Sequence, residues 1–315
     1  MSATDSTVDL RVSLTHNPEL PLALPNPILT ASGCFASGRE IDRFFDIDEL
    51  GAVVVKSLTL EPRLGLPTPR MVETESGMLN AIGLQNPGLD TWLAADLPWL
   101  AERGVRTIVS IAGRTVAEYR ALAERLRGQP GIIAIEANIS CPNVEDRNTI
   151  FACDVDATRQ AIAQVARTST VPVFAKLTPD VTDIVAIADA AVGAGASGVS
   201  LINTLSGMAI DVETGRPRLG GITGGLSGPA IKPIAVRAIF QVHRAIPDLP
   251  IIGMGGVRHV EDVVELIMAG ASAVAVGTAT FADPFATQDL LDALPEWLIE
   301  HGYDSVAELR GTVQA

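Results

Sequence analysis

The run Asn138-Ile139-Ser140-Cys141-Pro142-Asn143 gathers a thiol, a hydroxyl and two amides in one short stretch. It follows the apolar segment Gly131-Ile132-Ile133-Ala134-Ile135-Glu136-Ala137, which reads as a buried strand. Proline cannot continue a sheet ladder, so the strand should end near Cys141. In parallel α/β proteins chemistry sits at the carboxyl ends of strands. A thiol placed there could serve as a base or a nucleophile. Cys34 and Cys153 read instead as small packing residues. Three cysteines with no Cys-x-x-Cys pair form no disulfide framework, which points to a reducing, cytosolic setting.

Other polar residues fall at the ends of apolar runs. Lys56 closes Val53-Val54-Val55-Lys56-Ser57, and Lys176 closes Val173-Phe174-Ala175-Lys176-Leu177. An unpaired ammonium is costly to bury, so each lysine needs either an anionic ligand or an acidic neighbour. Glu136 is the candidate acid, because alternation along a strand puts it on one face with Asn138 and Ser140. Asn138 and Asn203 also end strands, and their amides can donate and accept at once, which suits a heterocycle. Two late runs end in glycine, as Gly253-Met254-Gly255-Gly256 and Gly277-Thr278. In eight-stranded barrels the loops after the last two strands often cradle a phosphate with backbone N–H groups. The segment from Gly77 to Gly88 sets amides among small apolar residues and could clamp a small polar ligand.

These residues need a frame. Candidate strands run over 27–31, 52–57, 107–112, 132–140, 173–177, 198–203, 250–253 and 273–277. Helical spacing fills the gaps at 116–127, 157–168, 183–194, 232–246 and 260–269. Strand–helix alternation implies right-handed βαβ units and a parallel sheet. Eight units, with no early Gly-x-Gly-x-x-Gly, predict a (β/α)8 TIM barrel over one domain, residues 1–315. A short N-terminal β-hairpin, 9–14 and 20–24 around His16-Asn17-Pro18, should close the barrel bottom. The Gly/Pro-rich connections 59–87 and 204–229 follow strands, so they belong on the active face.

Hydrophobic residues make up 47% of the 315, enough for a large core, and the formal charge is −14. That charge speaks against a nucleic-acid surface, and no apolar run reaches the length of a membrane span. The polar, acidic start is no signal peptide. No metal site is expected.

The chain resembles the catalytic subunits of the NAD-linked, class 1B branch of the dihydroorotate dehydrogenase family. The resemblance rests on Ala31-Ser32-Gly33-Cys34-Phe35, Thr59-Leu60-Glu61-Pro62-Arg63, the Asn80–Gly88 segment, Asn138–Asn143, Gly224-Gly225-Leu226-Ser227-Gly228-Pro229 and the two glycine loops. It implies an FMN-bound barrel that oxidises dihydroorotate to orotate in pyrimidine synthesis. Cys141 would take the C5 proton while C6 gives a hydride to the flavin. Asn80, Asn138, Asn143, Asn203 and Thr204 would hold the pyrimidine, together with Ala81, Ile82, Gly83 and Leu84, and Lys56 would balance its carboxylate. The flavin would touch Ser32, Lys56, Ser57, Ser110, Asn138, Lys176 and Ile202. Its phosphate would rest on Gly228, Gly255, Gly256, Gly277 and Thr278. FAD and a [2Fe–2S] cluster would be carried by a second, electron-transfer subunit, docked to a homodimer core within a heterotetramer. Ser110 departs from the pattern, because the family usually has Asn there. The segment 144–148 is more charged than the family leads one to expect, and would form a lid.

Two other readings stay open. One is a related FMN barrel acting on another dihydropyrimidine. The other is a non-redox, phosphate-binding barrel in which Lys176 forms a Schiff base, as in an aldolase.

Overall fold

In a computed structural model, which describes residues 8–15, 17–140, 142–143 and 149–314, the chain winds into a closed ring of eight parallel strands. They are β1 (Ile28–Thr30), β2 (Val53–Val54), β3 (Thr107–Ile111), β4 (Ile132–Asn138), β5 (Val173–Lys176), β6 (Gly198–Leu201), β7 (Ile251–Met254) and β8 (Ala273–Val276). Each pairs with its chain neighbours, and β8 returns to pair with β1 through Ala275 opposite Leu29. The seam between β1 and β2 is thin. Leu29 bridges Ala52, and the Gly51 N–H donates to the Ile28 carbonyl. The Thr30 hydroxyl carries the pairing further up, accepting from the Val54 N–H and donating to the Val54 carbonyl.

Six connections contain α-helices: α1 (Leu89–Glu102), α2 (Val116–Leu126), α3 (Val155–Thr168), α4 (Ile184–Gly193), α5 (Lys232–Ala245) and α6 (Val260–Met268); α7 (Ala279–Ala282) and α8 (Ala286–Glu300) follow β8. The connection from β1 to β2 holds only a short 3-10 turn, Ile41–Arg43. Capping marks several starts. Thr115, Asp154 and Asp183 each accept from an N–H in the first turn of α2, α3 and α4.

The pleat sorts the strand residues into two cores. Ile28, Val53, Val109, Ile135, Val173 and Val199 face outward under the helices. Leu29, Val54, Ile108, Ala134, Phe174 and Ile252 face inward and fill the lower barrel. Leu14, Leu22 and Leu24 from the N-terminal hairpin pack into that same inner cluster and plug the bottom. The hairpin pairs Val12 with Leu24 and Ser13 with Ala23, as the sequence predicts; His16 lies outside the described residues. Just before the hairpin, Asp9 is latched to the far end of the chain. Its N–H donates to the Asp304 carbonyl, and its carbonyl accepts from Val306.

The connections 59–87 and 204–229, expected as long loops, contain two further sheets: a two-stranded pair, 210–211 with 216–217, and a larger one. The four antiparallel strands of the larger sheet lie in the order 205–208, 223–227, 77–80, 71–74. Gly225 sits opposite Asn80 and Leu226 opposite Leu79, so two distant connections are stitched together over the carboxyl ends of the barrel strands. Leu79, Ala81 and Leu219 form a small core of their own beneath it. Among the described residues, no helix is long and apolar enough to cross a membrane.

Candidate active site

Above the apolar floor the inward-facing positions turn polar. On β3 the inward residue after Ile108 is Ser110; on β4 those after Ala134 are Glu136 and Asn138; on β5 the one after Phe174 is Lys176. The pairing register places Ser110 beside Glu136 and Lys176 beside Asn138. Strand alternation alone therefore builds a buried polar layer over a hydrophobic one.

That layer is bonded internally. Asn138 Nδ2 donates to Ser57 Oγ at 3.1 Å. Ser57 and Ser110 share a hydrogen bond of 2.9 Å between their hydroxyls. Ser110 Oγ donates to Glu136 Oε1 at 3.0 Å. Lys176 Nζ donates to Ser32 Oγ at 3.0 Å and stands 3.6 Å from Glu136 Oε1. The acid anticipated as a partner for a strand-end lysine is thus Glu136, and it faces Lys176. Asn203 Nδ2 donates to Ser140 Oγ at 3.0 Å and reaches Asn138 Oδ1 at 3.4 Å, while its own Oδ1 accepts from Thr204 N–H.

Over this layer opens a cavity of about 1620 Å³. Single-ligand pockets run to about 1,000 Å³, so the space suits two ligands or one large one. The structure brings the following candidates onto its walls: Ser32, Lys56, Ser57, Asn80, Ala81, Ile82, Gly83, Leu84, Asn138, Lys176, Ile202, Asn203, Thr204, Gly228, Gly255, Gly256, Gly277 and Thr278. Ser110 does not reach the wall; it is fully buried behind Ser57. Cys141 and the 144–148 segment lie outside the described residues. Asn143 is described only as backbone, paired with Thr149 in a two-residue ribbon.

The glycine positions show why no other residue stands there. Gly255 has φ +128° and Gly256 φ +79°. A Cβ on Gly256 would sit 2.6 Å from Lys232 Cβ and 2.9 Å from Lys232 N. The end of β7 therefore presses directly on the first turn of α5. Gly228, with φ +93°, precedes that turn. Backbone of three loops converges here with few side chains between, the arrangement that receives a phosphate.

At the opposite mouth, Asn86 shapes the clamp. Its Oδ1 accepts from the N–H groups of Thr59 and Gly88, and its Nδ2 donates to Thr59 Oγ1 and the Leu84 carbonyl. This holds Gly83 and Leu84 in the left-handed region, at φ +73° and +57°, with their backbone facing the cavity. Arg70 ties the same loop through the carbonyls of Leu64 and Leu66 and the Gln85 side chain. Asn80 Nδ2 donates across the upper sheet to the Gly225 carbonyl.

Three wall residues escape the sequence reading as ligand contacts. Cys34 lines the cavity, and burial pushes its thiol up to about 11 against the pull of Lys176 and Lys56. Ser140 lies two residues beyond Asn138 on the same face, a signal that was available. Asp180 accepts from the N–H and hydroxyl of Ser206, pinning the β5 loop to the upper sheet; nothing local in the sequence announces that contact. Two lysines in a protein of net charge −14 give the cavity a cationic side suited to an anionic ligand.

A family model described as dihydroorotate dehydrogenase matches residues 18–298. The chain is 53% identical over 294 residues to the protein named dihydroorotate dehydrogenase B (NAD(+)), catalytic subunit, of Anoxybacillus flavithermus, covering 93% of this chain and 94% of that one. A protein of the same name in Geobacillus kaustophilus is 54% identical over 294 residues, with the same coverage. The one in Listeria monocytogenes is 51% identical over 293 residues, 93% of this chain and 96% of the other.

Proposed function

The chain belongs to the dihydroorotate dehydrogenase family, and on that premise we propose that it oxidises dihydroorotate to orotate for pyrimidine synthesis, with NAD+ as final acceptor through a partner subunit. The observation that carries the reading is the single cavity wall that joins a three-loop glycine cradle to a cluster of amides and two lysines. A phosphate-bearing planar cofactor and a small anionic heterocycle need those two ends.

FMN is the cofactor that these residues fit. The cradle of Gly228, Gly255, Gly256, Gly277 and Thr278 would hold its phosphate, and Ser32, Lys56, Ser57, Asn138, Lys176 and Ile202 its ring. Bound there, FMN would supply the two-electron acceptor for the C6 hydride. Ser110 acts behind Ser57 rather than at the wall.

The chain's own groups do the rest. Lys56 meets the substrate carboxylate as a point charge. Asn80, Asn138, Asn143 and Asn203 fix the alternating N–H and C=O edge, since each amide offers both a donor and an acceptor. Thr204 and the backbone of Ala81–Leu84 complete the clamp. Cys141 removes the C5 proton as general base. A second subunit, bound to a homodimer of this chain in the cytoplasm and carrying FAD and a [2Fe–2S] cluster, would supply the onward route for the electrons.

The deciding test is the visible spectrum of the purified chain under anaerobic conditions. A flavin spectrum that bleaches on adding dihydroorotate is expected. A colourless chain that takes up no FMN, or a flavin that dihydrouracil reduces in preference to dihydroorotate, sinks the reading.

A further inference from the structure

Glu136 is wholly buried, yet only one of its carboxylate oxygens is bonded. Oε1 accepts from Ser110 and faces Lys176, while Oε2 has no partner among the described residues. Ser200, which the register places beside Lys176 on the next strand, likewise has an unpartnered buried hydroxyl. A buried carboxylate with a free oxygen is a poor device for stability alone, since a buried ion pair often does no more than break even against apolar packing. Its placement is more telling. Glu136 lies one step beneath Asn138 on β4 and adjoins both the lysine and the serine pair that run up to the cavity wall.

The hydrogen bonds around it have one direction. Ser110 has a single hydroxyl proton and gives it to Glu136, so in the bond between the two serines Ser57 must be the donor. Ser57 in turn receives Asn138 Nδ2. Each donor points toward the carboxylate. An acceptor-only group at the base of the chain fixes which way both hydroxyls turn and which end of the Asn138 amide faces Ser57. The same charge lies against the ammonium of Lys176, which is only 4% exposed.

We propose that Glu136 is a positioning residue with two effects on the cavity. Through Ser110 and Ser57 it orients the Asn138 amide, and through its charge it holds down the positive field that Lys176 projects at the wall. The proposal rests on the reading that this cavity takes FMN and a pyrimidine, and it concerns only how the chain prepares that wall.

Two variants separate the effects. Glu136→Gln keeps an acceptor oxygen for Ser110 and removes the charge. Ser110→Ala keeps the charge and cuts the chain. Sulfite adds to the flavin ring and leaves it negative, so its affinity reports the field there. In FMN-loaded Glu136→Gln, sulfite should bind roughly tenfold tighter or more, since a charge a few Å away shifts such equilibria by about one to three log units. In Ser110→Ala, orotate should bind roughly threefold to tenfold more weakly, the scale of one hydrogen bond, with sulfite affinity within about twofold of wild type. Unchanged sulfite affinity in a flavin-loaded Gln variant overturns the charge role. Unchanged orotate affinity in Ser110→Ala overturns the orienting role, and that arm stands even if the Gln variant does not fold. A wild-type chain that cannot bind FMN overturns the underlying reading instead, and the flavin content measured first tells the two failures apart.

Discussion

Thr30 and Val54 complete the barrel seam through one hydroxyl: Thr30 Oγ1 accepts from the Val54 N–H at 2.8 Å and donates to the Val54 carbonyl at 3.2 Å. Both residues are fully buried. A side chain here does what a backbone ladder does between the other strands. Thr30→Val keeps the shape and leaves both backbone groups of Val54 unsatisfied. It should lower stability by about 2–4 kcal/mol, the sum of two buried groups at about 1–3 each, reduced for partial relaxation. Equilibrium denaturation measures this, and a loss under about 0.5 kcal/mol would show that the seam is held elsewhere.

Gly256→Ala tests the cradle. At φ +79° the new methyl is strained and meets the first turn of α5. The cost should be about 1–3 kcal/mol, with the larger effect on cofactor retention. Flavin content after gel filtration should fall well below wild type. Full retention would remove this loop from the phosphate site.

The base is tested at Cys141. Cys141→Ala should still bind FMN but slow its reduction by dihydroorotate by about 10²–10⁴-fold. Cys141→Ser should recover activity only toward higher pH, because a hydroxyl is a weaker acid than a thiol. Stopped-flow bleaching of the flavin is the measurement. Near-normal reduction in the Ala variant at neutral pH rules out the assignment.

Cys34 should be inert where Cys153 is not. Desolvation pushes its half-buried thiol up to about 11 in the folded chain, above the usual thiol value of about 8.5. The folded state therefore holds the proton more tightly than the unfolded state does. That contribution is complete below about pH 8.5 and is lost as pH rises toward 11. At pH 7.5 iodoacetamide should label exposed Cys153 at least about tenfold faster than Cys34, read by peptide mass spectrometry. Equal labelling would contradict the raised Cys34 thiol.

The route of the electrons gives the last prediction. The cysteines outside Cys141 are Cys34 in the cavity wall and Cys153 at the surface, too few to ligate an iron–sulfur cluster. The chain alone, given dihydroorotate and NAD+, should bleach its flavin once and form little NADH. Adding the partner subunit should start steady NADH production at 340 nm. Sustained NADH formation without a partner would place the protein in another branch.

The parallel strands were legible because each is a short apolar run with both faces buried, as in Val173–Lys176 and Ala273–Val276. Glu136 could be placed beside Asn138 because strand alternation is strict. The upper sheet was not legible. Its strands are polar or glycine-rich, and its key contact joins Asn80 to Gly225, far apart in the chain. Helices α1 and α8 are not legible in the sequence because Pro98 and Pro295 lie inside them, and an interior proline signals a break. The hidden place of Ser110 also escaped, since nothing in its neighbours says that Ser57 stands in front of it.

The latch between Asp9 and residues 304–306 sets an order of events. The stopper formed by Leu14, Leu22 and Leu24 is synthesised long before residues 304–306, whose backbone holds Asp9 beside it. The segment around Asp9 must therefore wait for all eight barrel strands and residues 304–306 before its latch can close. Such non-local closure is intrinsically slow. A nascent chain stalled before residue 304 should stay sensitive to protease at its hairpin, and extension beyond residue 306 should protect it.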